Sequence, residues 1–456
     1  MMNNQRELVF AEYNIDHFVD AFFRINEIET KRILIKPTNS FAVEFKQRVL
    51  NKNPQVSFID EDGINETTQF EDNKAQKNIS VLCIPDAKEL SKELLKHIDD
   101  NAGTILAPIT PNYFKKKPLF LISIPKSGTH LLYHLVDLFG YKRGVTYSSI
   151  PHPGNWYCLE YSNSHTSAQD FFIDTVRRSP FGNRDHAFPH TPAIFLYRNP
   201  LDILVSEANY YHLDGKALFH GYFNGLTFEE RVMKLIDDPW LLGSIRKRTG
   251  KFIPWLKFPN VIPISFEELI GEKGGGSLMV QTRLIWSLQL KLHIPGSPLE
   301  FGSKAFQSDS PTFRKGLIGS HKKKLNKNSL DAFYKLPQDF MDEYGYNGQT
   351  AIPAHSENFL KRPVEYSAVN YDDTPIDIEH NYLDHFIVKY QNKYYGVPYK
   401  IGYIDFEDKN WLLHFLHSSE NLIAVKQQIA RKPRPSILLL IGKFFKKHIV
   451  GLTKVS

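Results

Sequence analysis

Residues 119–140 read LFLISIPKSGTHLLYHLVDLFG, and three kinds of local structure succeed one another within them. Residues 119–124 are a short apolar run of the kind that makes a buried parallel strand. A tight polar turn follows, Pro125-Lys126-Ser127-Gly128-Thr129. Leu131, Leu132, Leu135, Val136 and Phe139 then recur at helical spacing, and Gly140 is a natural stop. Strand, glycine turn and helix in this order make a phosphate cradle. The amides at the helix start are unpaired, the helix dipole is positive there, and Gly128 lets a phosphate approach the main chain. Lys126 adds a mobile point charge, Ser127 and Thr129 add hydroxyls, and His130 completes the candidate set. The spacing is not that of the nucleotide loop G-x-x-x-x-G-K-[ST], because the lysine precedes a single glycine. A buried strand–turn–helix without a ligand would read the same way, so the rest of the chain must decide.

Two later stretches bear on it. Residues 192–209, PAIFLYRNPLDILVSEAN, read as a second buried strand over 193–197 ending at Arg198, then a helix from Pro200, where proline suits a first turn. Arg198 and Ser206 stand eight residues apart, a guanidinium for a bidentate grip on phosphate and a hydroxyl beside it. Residues 312–319, TFRKGLIG, gather Arg314, Lys315, Gly316 and Gly319 into a basic glycine loop.

Together these stretches resemble the sulfotransferases that use 3′-phosphoadenosine 5′-phosphosulfate. P-K-S-G-T matches the family's 5′-phosphosulfate loop. Arg198, Asn199, Pro200, Asp202 and Ser206 match its 3′-phosphate motif R-[DN]-P-x-D-x-x-x-S, and residues 314–319 match its closing loop R-K-G-x-x-G. The family's loop continues with Asp and Trp, whereas here Ser320-His321 and Lys322-Lys323-Lys324 follow. That departure is expected to alter loop closure more than charge. In residues 260–270, NVIPISFEELI, Phe266 stands where the family usually has tyrosine; it either stacks on adenine or packs in the core. Gly274-Gly275-Gly276 reads as a flexible loop lacking the strand–helix setting of a phosphate binder. The resemblance covers about residues 115–345 and implies an α/β fold, a mostly parallel sheet with the nucleotide across its carboxyl edge.

The resemblance also implies roles. Lys126 is expected to meet charge on the leaving phosphate oxygen. Between the two phosphate motifs, Arg184-Asp185-His186-Ala187-Phe188-Pro189 resembles the cytosolic branch's K-T-H-L-P, which makes His186 the expected general base; His190, Asp185 and Glu160 are rivals. Nucleotide contacts are expected from Lys126, Ser127, Gly128, Thr129, His130, Arg198, Ser206, Arg314, Lys315 and Gly316. No metal is needed by this chemistry, and the 18 histidines show no spacing such as H-E-x-x-H.

At 456 residues the chain suggests two or three domains. The expected division is a small α/β domain over 1–112, the sulfotransferase-like domain over 113–345, and an α+β module with a basic tail over 346–456. In the first, strand-like runs at 8–11, 32–35, 56–59, 80–84 and 104–107 alternate with amphipathic stretches such as 17–28 and 87–98. Residues 141–185 read as an irregular insertion whose aromatics, among them Tyr147, Trp156, Tyr157 and Tyr161, either line an acceptor pocket or anchor a loop. Near the end, 385–390 and 393–397 read as a hairpin about Gln391-Asn392, and 419–429 as a short helix. The basic, partly apolar residues 431–456 suit either an anionic membrane surface or packing against the body.

A net charge of +6 is too mild to imply nucleic-acid binding. Two cysteines give no disulfide framework, and neither a signal-peptide core nor a run of 18 apolar residues is present. The expectation is a cytoplasmic enzyme of bacterial style, with peripheral contact at the inner membrane surface through 431–456 as an option. It would transfer a sulfuryl group to a hydroxyl on a carbohydrate, glycolipid or small molecule. The rival readings are a P-loop kinase-like phosphotransferase, which the chain equips with no G-K-[ST], and a non-catalytic nucleotide-binding scaffold in a glycan-synthesis complex.

Overall fold

The computed structural model describes residues 6–25, 32–60, 78–98, 103–109, 118–144, 154–158, 191–217, 219–306, 316–346, 377–383, 385–390, 392–398 and 417–431. It is an α/β protein of parallel sheets flanked by helices, with a small antiparallel sheet near the end. Five strands, β1 (Arg6–Glu12), β2 (Arg32–Lys36), β3 (Phe58–Asp60), β4 (Asn78–Leu82) and β5 (Gly103–Ile109), form the first sheet in the order β1-β5-β4-β2-β3, all parallel. Each expected strand is present, moved by no more than two residues at an end. The helix expected over 17–28 is α1 (Ile15–Phe23). It and α2 (Ser40–Lys52) cover one face, where Phe18, Phe22, Phe45 and Val49 bury Ile33, Ile35 and Val81. On the other face α3 (Ala87–Lys96) packs Leu90 and Leu94 on Leu8, Leu82 and Ile105. Asn14, Asn39 and Asp86 begin these helices by accepting from first-turn amides, the N-cap bond that polar loop residues supply.

The central sheet uses β6 (Leu119–Ser123), followed by α4 (Thr129–Leu138), β7 (Lys142–Arg143), β8 (Asn155–Cys158) and β9 (Ala193–Tyr197), the last leading into α5 (Pro200–Ala208). Next come α6 (Phe228–Ile236), the hairpin β10 (Asp237–Asp238) and β11 (Gly243–Ser244), α7 (Ile245–Gly250), β12 (Val261–Ser265) and α8 (Phe266–Leu269). The helices α9 (Leu278–Leu292), α10 (Pro298–Ala305), α11 (His321–Lys324), α12 (Lys327–Tyr334) and α13 (Asp339–Glu343) complete this part. The strand order is β12-β9-β6-β8-β7, all parallel. Because successive strand residues point to opposite faces, Phe120, Ile122, Phe195 and Tyr197 meet α5 and α6, while Leu119, Leu121, Ile194 and Leu196 meet α4 and α9.

Two features depart from the pattern read in the sequence. Trp156 and Tyr157 are strand residues of β8, buried between β6 and β7, so these two aromatics are core rather than pocket lining. Tyr147 and Tyr161 lie outside the described residues. α9 is apolar on two faces: Leu284, Ile285 and Leu288 pack on the central sheet, while Trp286 and Leu290 enter the core of the first sheet. Trp286 Nε1 donates to the His97 carbonyl at 2.9 Å, and Leu8 exchanges two backbone bonds with Gly296. One helix thus holds both sheets.

In the last part β13 (Asp377–Tyr382), β14 (His385–Tyr390), β15 (Lys393–Pro398) and β16 (His417–Ser419) are antiparallel, with α14 (Leu422–Arg431) packed on them through Val425 and Ile429. The expected hairpin is there, turning through Asn392 at φ +61°. The helix starts at Leu422 rather than 419 because Ser418 and Ser419 pair with Tyr395 and Tyr394 as β16.

Candidate functional site

The order of strands reverses beside β6: the chain runs on to β8 and β7 on one side, then returns to β9 and β12 on the other. The crevice at the carboxyl ends of β6 and β9 is therefore the place where an open parallel sheet receives a ligand. Lys126 follows β6 and Arg198 follows β9, so the two sequence motifs flank that crevice.

The turn after β6 is built tightly. Lys126 has φ +69°, a left-handed conformation that a lysine adopts only under constraint, and Gly128 has φ +102°. A Cβ on Gly128 would lie 2.6 Å from Phe266 Cδ2, so the glycine is required both by its dihedral and by the ring against it. Gly128 is also the N-cap of α4 and offers no capping side chain, which leaves the opening amides of that helix for another acceptor. Ser127 is fully buried, and its hydroxyl donates to the Leu196 carbonyl at 3.2 Å, stitching the turn to β9. Thr129 Oγ1 lies 2.8 Å from Ser123 Oγ. Both hydroxyls are engaged within the scaffold. The Lys126 ammonium sits 3.3 Å from the centre of the Tyr210 ring, a cation–π seat just beyond α5. Partial desolvation, then the cations Lys126 and Arg143, lower the pKa of His130 at the first turn of α4.

Arg198 is buried, with its guanidinium carbon 4.2 Å from the centre of the Phe266 ring. Nη1 donates to the Lys126 carbonyl at 3.3 Å and Nη2 to the Leu317 carbonyl at 2.9 Å. Its Nε has no hydrogen-bond partner among the described residues. One side chain thus joins the turn after β6 to the glycine loop of residues 316–319. Phe266 is itself only 3% exposed, wedged between Gly128 and Arg198, which makes it a structural ring beneath the crevice.

Asp202 organises the other end of that loop. Its carboxylate accepts from Gly319 N (2.8 Å), Ser320 Oγ (3.0 Å), His321 N (2.9 Å) and His321 Nδ1 (2.8 Å). Burial opposes its charge, but the bond from His321 and the nearby Arg198 outweigh burial and hold the carboxyl below its usual pKa. The loop is supported from below by glycines: Ile318 N donates to the Gly274 carbonyl at 3.1 Å, and a Cβ on Gly274 would meet the Gly316 carbonyl at 2.7 Å. Gly274 is thus a platform for the loop. Ser206 is half-buried one turn beyond Asp202 on α5. Lys322, Lys323 and Lys324 are exposed, as a solvated lysine run should be.

Beneath Arg198 lies Glu267, wholly buried. It accepts from Asn199 N at 3.1 Å and from the Tyr346 hydroxyl at 2.7 Å. Burial pushes its pKa up to about 7, against the pull of Arg198 and of its hydrogen-bond donors. Tyr210, Glu267, Tyr346 and the Ser320-His321 pair were not among the expected site residues. Only the last had a visible signal, since it stands where the family pattern breaks. The expected base His186, its rivals His190, Asp185 and Glu160, and the loop cations Arg314 and Lys315 lie outside the described residues.

An uncapped helix start, a left-handed glycine and Lys126 stand at the carboxyl end of β6, with the buried Arg198 at that of β9, a set of N–H donors and cations that suits an anionic group. Among the described residues no group of three or more His, Cys, Asp or Glu could hold a metal ion, and no helix is long and apolar enough to cross a membrane.

No family model matches the chain, and no curated protein matches it. Among solved structures it is similar to the mouse sulfotransferase SULT7A1 complexed with PAP, at 17% identity over 56% of this chain and 90% of that one, with a TM-score of 0.35.

Proposed function

We propose that the chain is a sulfotransferase that takes the sulfuryl group from 3′-phosphoadenosine 5′-phosphosulfate and transfers it to a hydroxyl. The observation that carries this reading is Arg198, whose two terminal nitrogens tie the Lys126 carbonyl to the Leu317 carbonyl. It gathers three stretches distant in sequence, each matching a different part of one nucleotide-binding pattern, around one crevice.

The nucleotide supplies the activated sulfuryl group. The chain's own part is positioning and charge. The amides opening α4 and the Lys126 ammonium favour negative charge at the 5′ end of the nucleotide. Arg198 and the loop of residues 316–319, clamped by Asp202, form the wall expected to face the 3′-phosphate, with Ser206 and the Arg314-Lys315 pair. Leaving its seat on Tyr210, Lys126 would neutralise charge on the leaving oxygen. His186 is the proposed acceptor of the hydroxyl proton. The acceptor class, a carbohydrate or glycolipid hydroxyl, rests on the remaining aromatics of residues 141–185.

The test is calorimetric binding of adenosine 3′,5′-bisphosphate and of 5′-AMP in the presence of a metal chelator, for wild type and Arg198→Lys. The expected result is much tighter binding of the bisphosphate, with the difference narrowed in Arg198→Lys because an ammonium cannot reproduce the fork. Equal binding of the two nucleotides, or none, overturns the reading. Bisphosphate binding without transfer to any hydroxyl, and without loss in His186→Ala, would leave a nucleotide-binding scaffold instead.

A further inference from the structure

Arg143, the last residue of β7, is exposed and forms no ion pair or side-chain hydrogen bond among the described residues. Its guanidinium carbon lies 5.4 Å from the centre of the Trp156 ring and 5.8 Å from that of Tyr133. The two rings are stacked, 4.5 Å apart, and both are anchored. Trp156 Nε1 donates to Asp137 at 2.7 Å, and Tyr133 Oη lies 2.8 Å from Cys158 Sγ. The backbone is fixed as well. Gly144 N donates to the Trp156 carbonyl at 2.8 Å, and a side chain on Gly144 would run into the Tyr157 ring. The guanidinium is thus seated on a firm platform with its donors unused, and a preorganised group gives up less freedom on gripping a ligand.

This seat adjoins the crevice. In register Arg143 stands beside Trp156, on the strand next but one to β6. Tyr133 bridges the gap along α4, its ring 6.0 Å from that of His130 in the first turn. His130 is exposed; desolvation, then Lys126 and Arg143, disfavour its charged form. Basic side chains thus line one side of α4 from the turn after β6 to the end of β7. Asp137, on the same helix, is held by the Trp156 N–H and forms no ion pair with Arg143. Like charges gathered without a counter-charge oppose the compact state. An anion arriving from solution supplies what is missing.

We propose that Arg143 is a specificity residue for the acceptor, gripping an oxyanion, a carboxylate or a sulfate ester, on the carbohydrate whose hydroxyl is sulfated. The inference rests on the sulfotransferase reading and narrows its acceptor class to acidic sugars. A guanidinium fork matches two carboxylate or sulfate oxygens, which a lysine cannot do. The donor nucleotide's own charge is assigned to the amides of α4, Lys126 and Arg198. Arg143 lies beyond them, past His130 and Tyr133, so the anion it holds orients the acceptor and takes no part in the transfer.

The experiment is calorimetry on the full chain, with and without saturating adenosine 3′,5′-bisphosphate. The probes are trigalacturonate, maltotriose, and maltotriose carrying 6-O-sulfate groups. Wild type should bind an anionic trisaccharide about tenfold or more tightly than maltotriose, the worth of a charge-assisted pair, and the tighter of the two identifies the oxyanion. Arg143→Gln should abolish that preference and Arg143→Lys should restore only part of it, while bisphosphate affinity stays as in wild type. Lys142→Gln is the control, since the neighbouring residue of a strand faces the other way, and it should keep the preference. The proposal is overturned if wild type shows no preference, or if Lys142→Gln loses as much as Arg143→Gln, which would make the effect one of general surface charge. It is also overturned if Arg143→Gln weakens the bisphosphate and leaves the sugars unchanged, which would place Arg143 in the donor site. Should the bisphosphate itself fail to bind, the sulfotransferase reading falls, and the titrations without nucleotide still decide whether Arg143 holds an acidic sugar.

Discussion

Asp202 and His321, 119 residues apart in sequence, are joined by two hydrogen bonds: the carboxylate accepts from both the backbone amide and the ring Nδ1 of His321. An ionised carboxylate only accepts, so Nδ1 carries the proton and the ring is held in that tautomer. With Gly319 N and Ser320 Oγ on the same carboxylate, the end of the glycine loop is locked onto α5. Asp202→Asn keeps the shape but loses acceptor capacity and charge. Bisphosphate affinity should fall about tenfold or more, and amide hydrogen exchange across residues 317–321 should quicken. Unchanged affinity with unchanged exchange would mean that the loop closes without this clamp.

How much of this was legible in the sequence depends on range. The β6–turn–α4 unit is local, written in a run of apolar residues, one glycine and a helical period, and its strand and helix were read to within a residue or two. The Arg198 and Gly316 stretches were legible as short strings. What joins them was not, because a guanidinium's partners are set by packing. Nothing near Arg198 in sequence announces the Leu317 carbonyl, and nothing near Glu267 announces Tyr346. Phe266 was open between base stacking and core, and only the ring's position against Gly128 makes it a core residue here.

Gly128 should tolerate no side chain. Alanine there must adopt φ +102° and push against the Phe266 ring at 2.6 Å. A cost of about 1–3 kcal/mol in stability is expected from the backbone alone, with nucleotide binding lost as the turn shifts. Adding Phe266→Leu to Gly128→Ala relieves the contact but not the dihedral, so stability should recover only in part. Chemical denaturation of the single and double variants measures this, and full recovery would place the cost in the ring.

Lys126 and Tyr210 separate chemistry from binding. Lys126→Ala should slow sulfuryl release about a hundredfold or more, the usual effect of removing a donor to developing charge. Tyr210→Leu removes the aromatic seat but not the cation, so its effect should be smaller, at most about tenfold for an interaction of roughly a kcal/mol. Release of sulfate from the donor nucleotide to water reads both without an identified acceptor. An equal loss in the two variants would make the seat part of the reacting arrangement rather than a resting place.

Trp286 should behave as a keystone between the two parallel sheets. Its ring lies in the first sheet's core while its own helix packs on the second, and Nε1 holds the His97 carbonyl. Trp286→Ala should cost about 3–5 kcal/mol and lower the melting temperature of the whole protein. Amide hydrogen exchange in β1 and α3 should then quicken relative to wild type. If exchange there is unchanged while global stability falls by that amount, the two sheets are held together by Leu8 and Gly296 instead.

Glu267 gives the site a pH dependence whose sign can be worked out. Its native pKa is raised from 4.5 to about 7, chiefly by burial, so the folded state holds a proton that the unfolded chain has already released. Stability contributed by the protonated form is full below about pH 4.5, erodes as pH rises, and is gone above about 7. Through that window the wild type should lose on the order of 3 kcal/mol relative to a chain without the titration. Glu267→Gln is neutral throughout and can keep one acceptor for Asn199 N–H, so its stability should vary less over the same range. Urea denaturation of both proteins between about pH 5 and about pH 9 measures the difference. The two curves should converge, or cross, as the medium becomes alkaline and Glu267 ionises beside Arg198. Parallel curves would show that Arg198 already holds Glu267 ionised across the range, making the buried pair a fixed element of the crevice.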